Sequence, residues 1–394
     1  MTVENRTRIS IDLLDTRQVM RATGSERAIT FGNYTLGDIY PTLIADMQAL
    51  EGLIHNPGLE NFRRSVDRIG NDLYHEIVLK DGKINDLYSR CTRRQQNLLP
   101  LDLSISFTMD KQFIELPIEF IRDRDPIPVA ARIPIYKTII TNGDLYPRKR
   151  ELDPRGINVL LVSSNTYWRS NETIIVGDVE KQIGFTLPAV DELDNGTNEI
   201  DEIKKVMDTA KRQGRWNVTA DVYHSDKLDY DTFLNLVASD KYHIIHYNGH
   251  GYFDRTNPYN SSVFFWEEKN KQGKVIALDS NKLNEVLSNT TRLQCIYLSC
   301  CQGAAADPNY KKYLNNFIGL LDSIVAAGIP NAVGMRWPIS VDNARSFSVK
   351  FYEGLFIDRD HNSIEAALTK ARRHVIRNPD YSVWCSPVLI KQEI

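Results

Sequence analysis

Residues Arg292–Ala306 read RLQCIYLSCCQGAAA. Leu293, Ile296, Tyr297 and Leu298 make an apolar, β-prone run that stops at two adjacent cysteines, Cys300 and Cys301, and small residues follow from Gly303 to Ala306. The pattern predicts a buried strand that delivers a thiol to a loop. Residues Lys241–Gly251, KYHIIHYNGHG, have the same form, a strand running into a histidine, His250, with glycine on either side. If the two strand ends lie side by side, Cys301 and His250 stand together as nucleophile and base.

Outward from these stretches the chain alternates strand and helix. Ile157–Ser163 (INVLLVS) is a continuous apolar run, as expected of a strand covered on both faces. A helical stripe follows at Ile200, Ile203, Val206, Met207 and Ala210, with Asn198 as its expected N-cap. Then come a strand at Asn217–Tyr223, a helix carrying Tyr230, Phe233, Leu234 and Val237, and the histidine strand. A short strand, Val275–Leu278, and a helix capped by Asp279 or Ser280 lead to the cysteine strand and complete the expected central sheet. Beyond it, a helix with Phe317, Leu320, Leu321, Ile324 and Val325 should end at Gly328 in left-handed geometry. Ala332–Trp337 reads as a strand, helices start near Asp342 and Ser363, and Val388–Ile390 can close the sheet edge. The grammar is that of an α/β fold with a mostly parallel sheet flanked by helices, whose ligands bind at the carboxyl ends of the strands.

The first part of the chain predicts a smaller α/β subdomain. Ile9, Ile11 and Leu13 alternate as on a half-buried strand, and Ala28–Tyr34 reads as its partner. Two amphipathic helices follow, through Ile39–Leu50 and Leu59–Leu73, then strands and connections over Leu101–Ile140. The turn-rich segment Asn142–Gly156 is the expected boundary, dividing residues 1–150 from 151–394.

Composition narrows the function classes. The 394 residues are 42% apolar with a formal net charge of -3, so the chain can bury a large core and offers no electrostatic footprint for nucleic acid or an anionic membrane. No apolar run approaches the roughly 20 residues that span a bilayer, and the N-terminus lacks a signal-peptide core, so a cytoplasmic protein is expected. Its five cysteines lack CxxC spacing, which argues for reduced thiols rather than a disulfide framework or zinc knuckle. His243, His246 and His250 do not read as a zinc site, because an odd separation on a strand sends His243 and His246 to opposite faces. Cys91, Cys295 and Cys385 read as small buried hydrophobes.

A thiolate beside an imidazole is a nucleophile with its general acid and base. Glycine next to each reactive residue lets a substrate backbone approach and frees N–H groups for an oxyanion, with Gly251 and Cys301 as the expected donors. Cys301 follows His250 by 51 residues, close to the spacing of caspases, and Cys301, Gln302 and Gly303 match the second half of their signature.

At HYNGHG (His246–Gly251), YLSCCQGA (Tyr297–Ala304), AAGIPNAVGMRWPIS (Ala326–Ser340), FYEGL and SIEAALTKAR, and upstream at LPIEFIRD (Leu116–Asp123), the chain resembles the caspase-like CHAT peptidases. That resemblance implies a caspase-like sheet preceded by a regulatory or pseudo-caspase half. It also implies a cysteine endopeptidase with a His250–Cys301 dyad and neither metal nor cofactor. Two adjacent cysteines compete for the role of nucleophile. Strand alternation lets only one face His250, and the resemblance picks Cys301, leaving Cys300 to packing. Where metacaspase-type enzymes carry a carboxylate for a basic P1 group, this chain has Ser299. Arg336 lies near the position at which caspases keep an arginine for acidic P1 groups, and Ser299, Gln302, Arg336 and Trp337 are the candidate substrate contacts. Asp254 could line the cleft; Asp342 reads more simply as a helix N-cap. The expected partners are a protein substrate and a separate activator or sensor subunit, in a bacterial defence or cell-death setting. The rival readings are a catalytically silent interaction module and a thiol hydrolase of a small molecule.

Overall fold

The computed structural model describes residues 7–13, 17–23, 28–33, 36–54, 59–93, 103–109, 115–140, 152–153, 156–166, 175–176, 179–180, 196–252, 261–268, 275–300, 317–337, 339–358 and 363–393. They fall into two compact units. The first joins Met1–Ile140 to Arg359–Cys385, and the second joins Thr141–Asp358 to Ser386–Ile394.

In the first unit the strands are β1 (Thr7–Leu13), β2 (Arg17–Thr23), β3 (Ala28–Asn33), β4 (Leu103–Met109) and β5 (Ile135–Ile140), in the spatial order β3-β2-β1-β4-β5. β1 alternates as expected, with Ile9, Ile11 and Leu13 fully buried. Its antiparallel partner is β2, however, and the Ala28 strand pairs with β2 instead of β1. The RQVMRAT stretch hides its strand character: Met20 and Ala22 are buried, while Arg21 turns outward to pair with Asp12 at 2.7 Å. β4 lies parallel to β1 and to β5. The helices are α1 (Leu36–Ile54), α2 (Leu59–Tyr74) and α3 (Gly82–Arg93). The last of these went unread in the sequence, although Ile84, Leu87, Tyr88 and Cys91 are all buried at helical spacing.

One glycine in this unit is there for space. Arg122 donates its backbone N–H to the Gly70 carbonyl at 3.2 Å, and a Cβ on Gly70 would lie 2.1 Å from the carbonyl oxygen of Phe120. Gly70→Ala should therefore lower stability by about 1–3 kcal/mol, as overpacking does, because backbone must move. Thermal unfolding of the variant checks this; an unchanged midpoint would show that the close approach is not held.

In the second unit the strands are β6 (Ile157–Ser164), β7 (Ile175–Val176), β8 (Val179–Glu180), β9 (Val218–Tyr223), β10 (Ile244–Gly249), β11 (Gly251–Tyr252), β12 (Ser262–Trp266), β13 (Val275–Asp279), β14 (Cys295–Cys300), β15 (Asn331–Met335) and β16 (Pro387–Glu393). The helices are α4 (Gly196–Arg212), α5 (Tyr230–Ala238), α6 (Ser280–Ser288), α7 (Phe317–Ala326) and α8 (Val341–Phe356). Two more helices, α9 (Ile364–Val375) and α10 (Ser382–Cys385), return to the first unit.

The main sheet of this unit runs β16-β15-β14-β10-β6-β9. It is parallel from β9 to β15, and β16 closes on β15 antiparallel. Every residue of β10 and β14 is buried, as an apolar run in a doubly covered parallel sheet requires. A second sheet, β11-β12-β13-β7-β8, takes the Val275 strand that the sequence reading assigned to the central sheet. The reason is β12: SVFFW pairs antiparallel with all of β13, from Ser262↔Asp279 to Trp266↔Val275.

Side-chain caps fix the helix starts. Asp229 and Asp279 accept from Thr232 N (2.7 Å) and Lys282 N (2.8 Å). Two expected caps are displaced. Ser340, not Asp342, caps α8 by accepting from Asn343 N at 3.3 Å, and Asp342 pairs with Arg345 in the first turn. Asn198 lies inside α4, which begins at Gly196. Gly328 takes φ 89°, so α7 ends in the left-handed conformation expected of it.

Candidate active site

β10 and β14 are in register from Ile244↔Cys295 to Gly249↔Cys300, and β6 lies on the other side of β10, ending at Gly249↔Ser164. The carboxyl ends of three parallel strands are therefore level. His250 follows β10 and is 2% exposed. Cys301 follows Cys300 in the sequence and lies outside the described residues, as do Gln302 and Asp254.

The two faces of β10 carry different chemistry. On one face His246 and Asn248 meet Glu199 of α4, a fully buried carboxylate. Its oxygens lie 3.1 Å from His246 Nε2 and 2.8 Å from Asn248 Nδ2, which donates to it. A carboxylate only accepts, so His246 Nε2 carries the hydrogen of that bond, and in the neutral ring Nδ1 then accepts from the Tyr352 hydroxyl at 3.3 Å. Burial keeps that tyrosine well above its usual range, hence a neutral donor. His246 also stacks on Tyr297 of β14 (4.8 Å, 19°), whose hydroxyl accepts from Ser348 at 3.0 Å. Six polar side chains from four elements thus form one buried network under the strand ends.

On the opposite face Tyr247 folds back along its own strand. Its hydroxyl lies 3.0 Å from the His250 carbonyl and 2.9 Å from the Phe264 carbonyl, and accepts from Phe264 N–H at 3.2 Å. Gly249 makes room for it, since a Cβ there would sit 2.4 Å from the hydroxyl and 2.9 Å from the Ser164 carbonyl. Burial, followed by the nearby Cys300, holds Tyr247 well above the usual tyrosine range, so it too remains protonated. Cys300 is 2% exposed and belongs to this Tyr247 face, the one turned away from His246 and Tyr297.

Ser299 pairs with Asn248 across the sheet and is fully buried. Arg336 and Trp337 follow β15 and are 7% and 1% exposed. Their backbone N–H groups donate to the carbonyl and hydroxyl of Ser386 at 2.7 and 2.9 Å. His243 and His246 have separate partners. His243 Nδ1 accepts Asn158 N–H at 3.0 Å, and burial, with Arg292 adding to it, lowers the pKa of that ring. No cluster of three or more metal-ligating side chains occurs among the described residues. Glu199 and Tyr247 were not singled out in the sequence. The first had a signal: Glu199, Ile203, Val206 and Ala210 share one helical stripe, so a carboxylate sits on the apolar face of α4.

No curated protein matches this sequence. Among solved structures, the chain is similar to separase in the Saccharomyces cerevisiae separase–securin complex, with 14% identity and a TM-score of 0.37, over 74% of this chain and 16% of separase. It is also similar to the Arg-specific cysteine proteinase gingipain R, with 10% identity and a TM-score of 0.41, over 89% of this chain and 75% of gingipain. The chain thus spans less than a fifth of the separase chain's length. Residues 81–392, which include β10, β14 and the level strand ends, match the CHAT domain. This chain belongs to the CHAT domain family, the caspase-like cysteine-peptidase group that its histidine and cysteine motifs resemble.

Proposed function

We propose that this chain is a cysteine endopeptidase in which Cys301 attacks the scissile carbonyl of a protein substrate and His250 manages the protons. One observation supports the reading above others: β10 and β14 end level at Gly249↔Cys300, and His250 and Cys301 are the next residue on each chain. The Cys301 thiolate forms a C–S bond to the carbonyl carbon, and the N–H groups of Gly251 and Cys301 stabilise the oxyanion. His250 gives its proton to the leaving amine as the C–N bond breaks, leaving a thioester. Water, deprotonated by His250, then displaces the thiol and releases the acid.

Ser299 supplies no charge for a basic P1 side chain, and Arg336 is the cation nearest in sequence to the end of β15, so P1 selection rests on Ser299, Gln302, Arg336 and Trp337 together. Among the described residues no helix is long and apolar enough to cross a membrane. The setting we propose is a cytoplasmic bacterial defence or cell-death pathway, with control by a partner protein.

Purified chain, alone and with proteins encoded beside it, should cleave a peptide library of fixed P1 residues, and His250→Ala should abolish the cleavage. A library left intact under all these conditions would favour the silent interaction module. Cleavage that survives His250→Ala would remove the dyad.

A further inference from the structure

His250 is the single residue between a strand of the main sheet, β10, and a strand of the second sheet, β11. Its backbone is therefore gripped from two directions, by Gly249↔Cys300 before it and by Gly251↔Val263 after it. We propose that Tyr247 is the positioning residue of the catalytic base: its hydroxyl holds the His250 carbonyl and so fixes the direction in which the imidazole leaves the strand. The proposal rests on the reading of His250 as the base.

The hydrogen-bond arithmetic favours His250 as the acceptor. A tyrosine hydroxyl has one hydrogen, and two carbonyls are within reach of it, those of His250 and Phe264. Phe264 already receives the Ser164 hydroxyl at 2.7 Å, a shorter contact than either of the two that Tyr247 makes. The Phe264 carbonyl can take a second hydrogen through its other lone pair, but it is the more occupied of the two, so the Tyr247 hydrogen is assigned to the His250 carbonyl while the hydroxyl oxygen takes the Phe264 N–H. Holding a carbonyl fixes the peptide plane after His250, and the register of β10 fixes the plane before it. The Cα–Cβ direction of His250 is then set, with only side-chain torsions remaining. The ring of Tyr247 is anchored in turn against Phe265 (5.4 Å between centroids), which stacks on Phe233 of α5. Gly249 completes the arrangement, because any Cβ there would push the hydroxyl off the carbonyl.

Tyr247→Phe and Ser164→Ala separate this role from simple support of β12. The phenylalanine keeps the ring and loses the bond to His250. The alanine keeps the Tyr247 ring and hydroxyl but frees the Phe264 carbonyl to compete with His250 for the Tyr247 hydrogen. Tyr247→Phe should lower kcat on the order of 10- to 100-fold with KM within about twofold, as a misplaced catalytic group does. Ser164→Ala, in which the bond to His250 is only contested, should lower kcat by clearly less than Tyr247→Phe does, about two- to fivefold, with KM within about twofold. Histidine-labelled NMR reads the same point without any substrate. The His250 ring signal, identified by its loss in His250→Ala, should shift or broaden in Tyr247→Phe and move distinctly less in Ser164→Ala.

An unmoved His250 signal in Tyr247→Phe overturns the proposal, and so does an equal effect from Ser164→Ala, which would mean that the tyrosine acts by holding β12. Should the wild-type chain cut no peptide at all, the peptidase reading fails. The NMR comparison still decides whether Tyr247 sets the His250 ring.

Discussion

Cys301→Ala should abolish labelling of the protein by a cysteine-directed electrophile, while Cys300→Ala leaves labelling near the wild-type rate. The thiolate is the reactive form, so labelling at neutral pH follows thiolate fraction and access. Four of the five cysteines offer no access. Cys91, Cys295, Cys300 and Cys385 are all buried, at 4%, 0%, 2% and 0% exposure. Burial pushes the Cys295 thiol up to about 12, so its ionised form is negligible until strongly alkaline pH. Cys300 sits on the Tyr247 face of β14, away from the face that His246 shares with Tyr297. Peptide cleavage should fall in Cys301→Ala by on the order of 10⁴- to 10⁶-fold, the usual cost of removing a nucleophile. The measurement is intact-protein mass after a short, substoichiometric exposure. Label that persists in Cys301→Ala and disappears in Cys300→Ala would move the nucleophile by one residue, onto the other face of the strand.

The second large effect is on stability. Glu199→Leu should cost about 3–5 kcal/mol, because it removes one partner from a buried charged network and leaves the others without acceptors. Both lost bonds are short and both are out of water: His246 Nε2 at 3.1 Å and Asn248 Nδ2 at 2.8 Å. Glu199→Gln should cost far less, about 1–2 kcal/mol, since its amide oxygen can still accept from Asn248. The amide NH₂ then faces His246, whose ring can exchange tautomers and give the Tyr352 hydroxyl an N–H to accept from Nδ1. Denaturant unfolding of the two variants beside wild type checks the ranking. A Leu variant within about 0.5 kcal/mol of wild type would show that the network contributes nothing net.

What could be read from the sequence, and what could not, follows from the range of the interactions. β6, β10, β14 and β15 announce themselves because a strand covered on both faces must be apolar at successive positions. The site's framework was legible for the same reason, as two such runs each ending at a residue with chemistry. Val275–Leu278 looked identical in kind, and nothing within four residues states which sheet will receive it. That is settled by SVFFW, upstream and antiparallel to it. β2 was hidden by its two arginines, and α3 was simply missed, although its spacing was plain. Tyr247 had no local signal at all, because its role comes from a hydroxyl folded back to His250 and across to Phe264, 17 residues away. Arg336 and Trp337 could be placed at the end of a strand, but not how deeply they would be buried.

The first unit is finished by residues that come late in the chain, and this sets an order of events during synthesis. Its helix α9 packs on β5 and on the turn at Val129–Ala131, and buries Ala366, Ala367, Leu368 and Ala371 there. Arg122 and Asp67 pair at 2.7 Å, and the Tyr381 hydroxyl donates to the same Asp67 at 2.9 Å. None of these late partners exists until the ribosome has made all of Thr141–Asp358. A nascent chain therefore carries its earliest segment without its covering helix while the strands bearing the histidine and the cysteine are being made. Domain-by-domain folding from the N-terminus is closed to it. The sheet that carries His250 and the unit that precedes it in sequence are completed together, near the end of translation of this region.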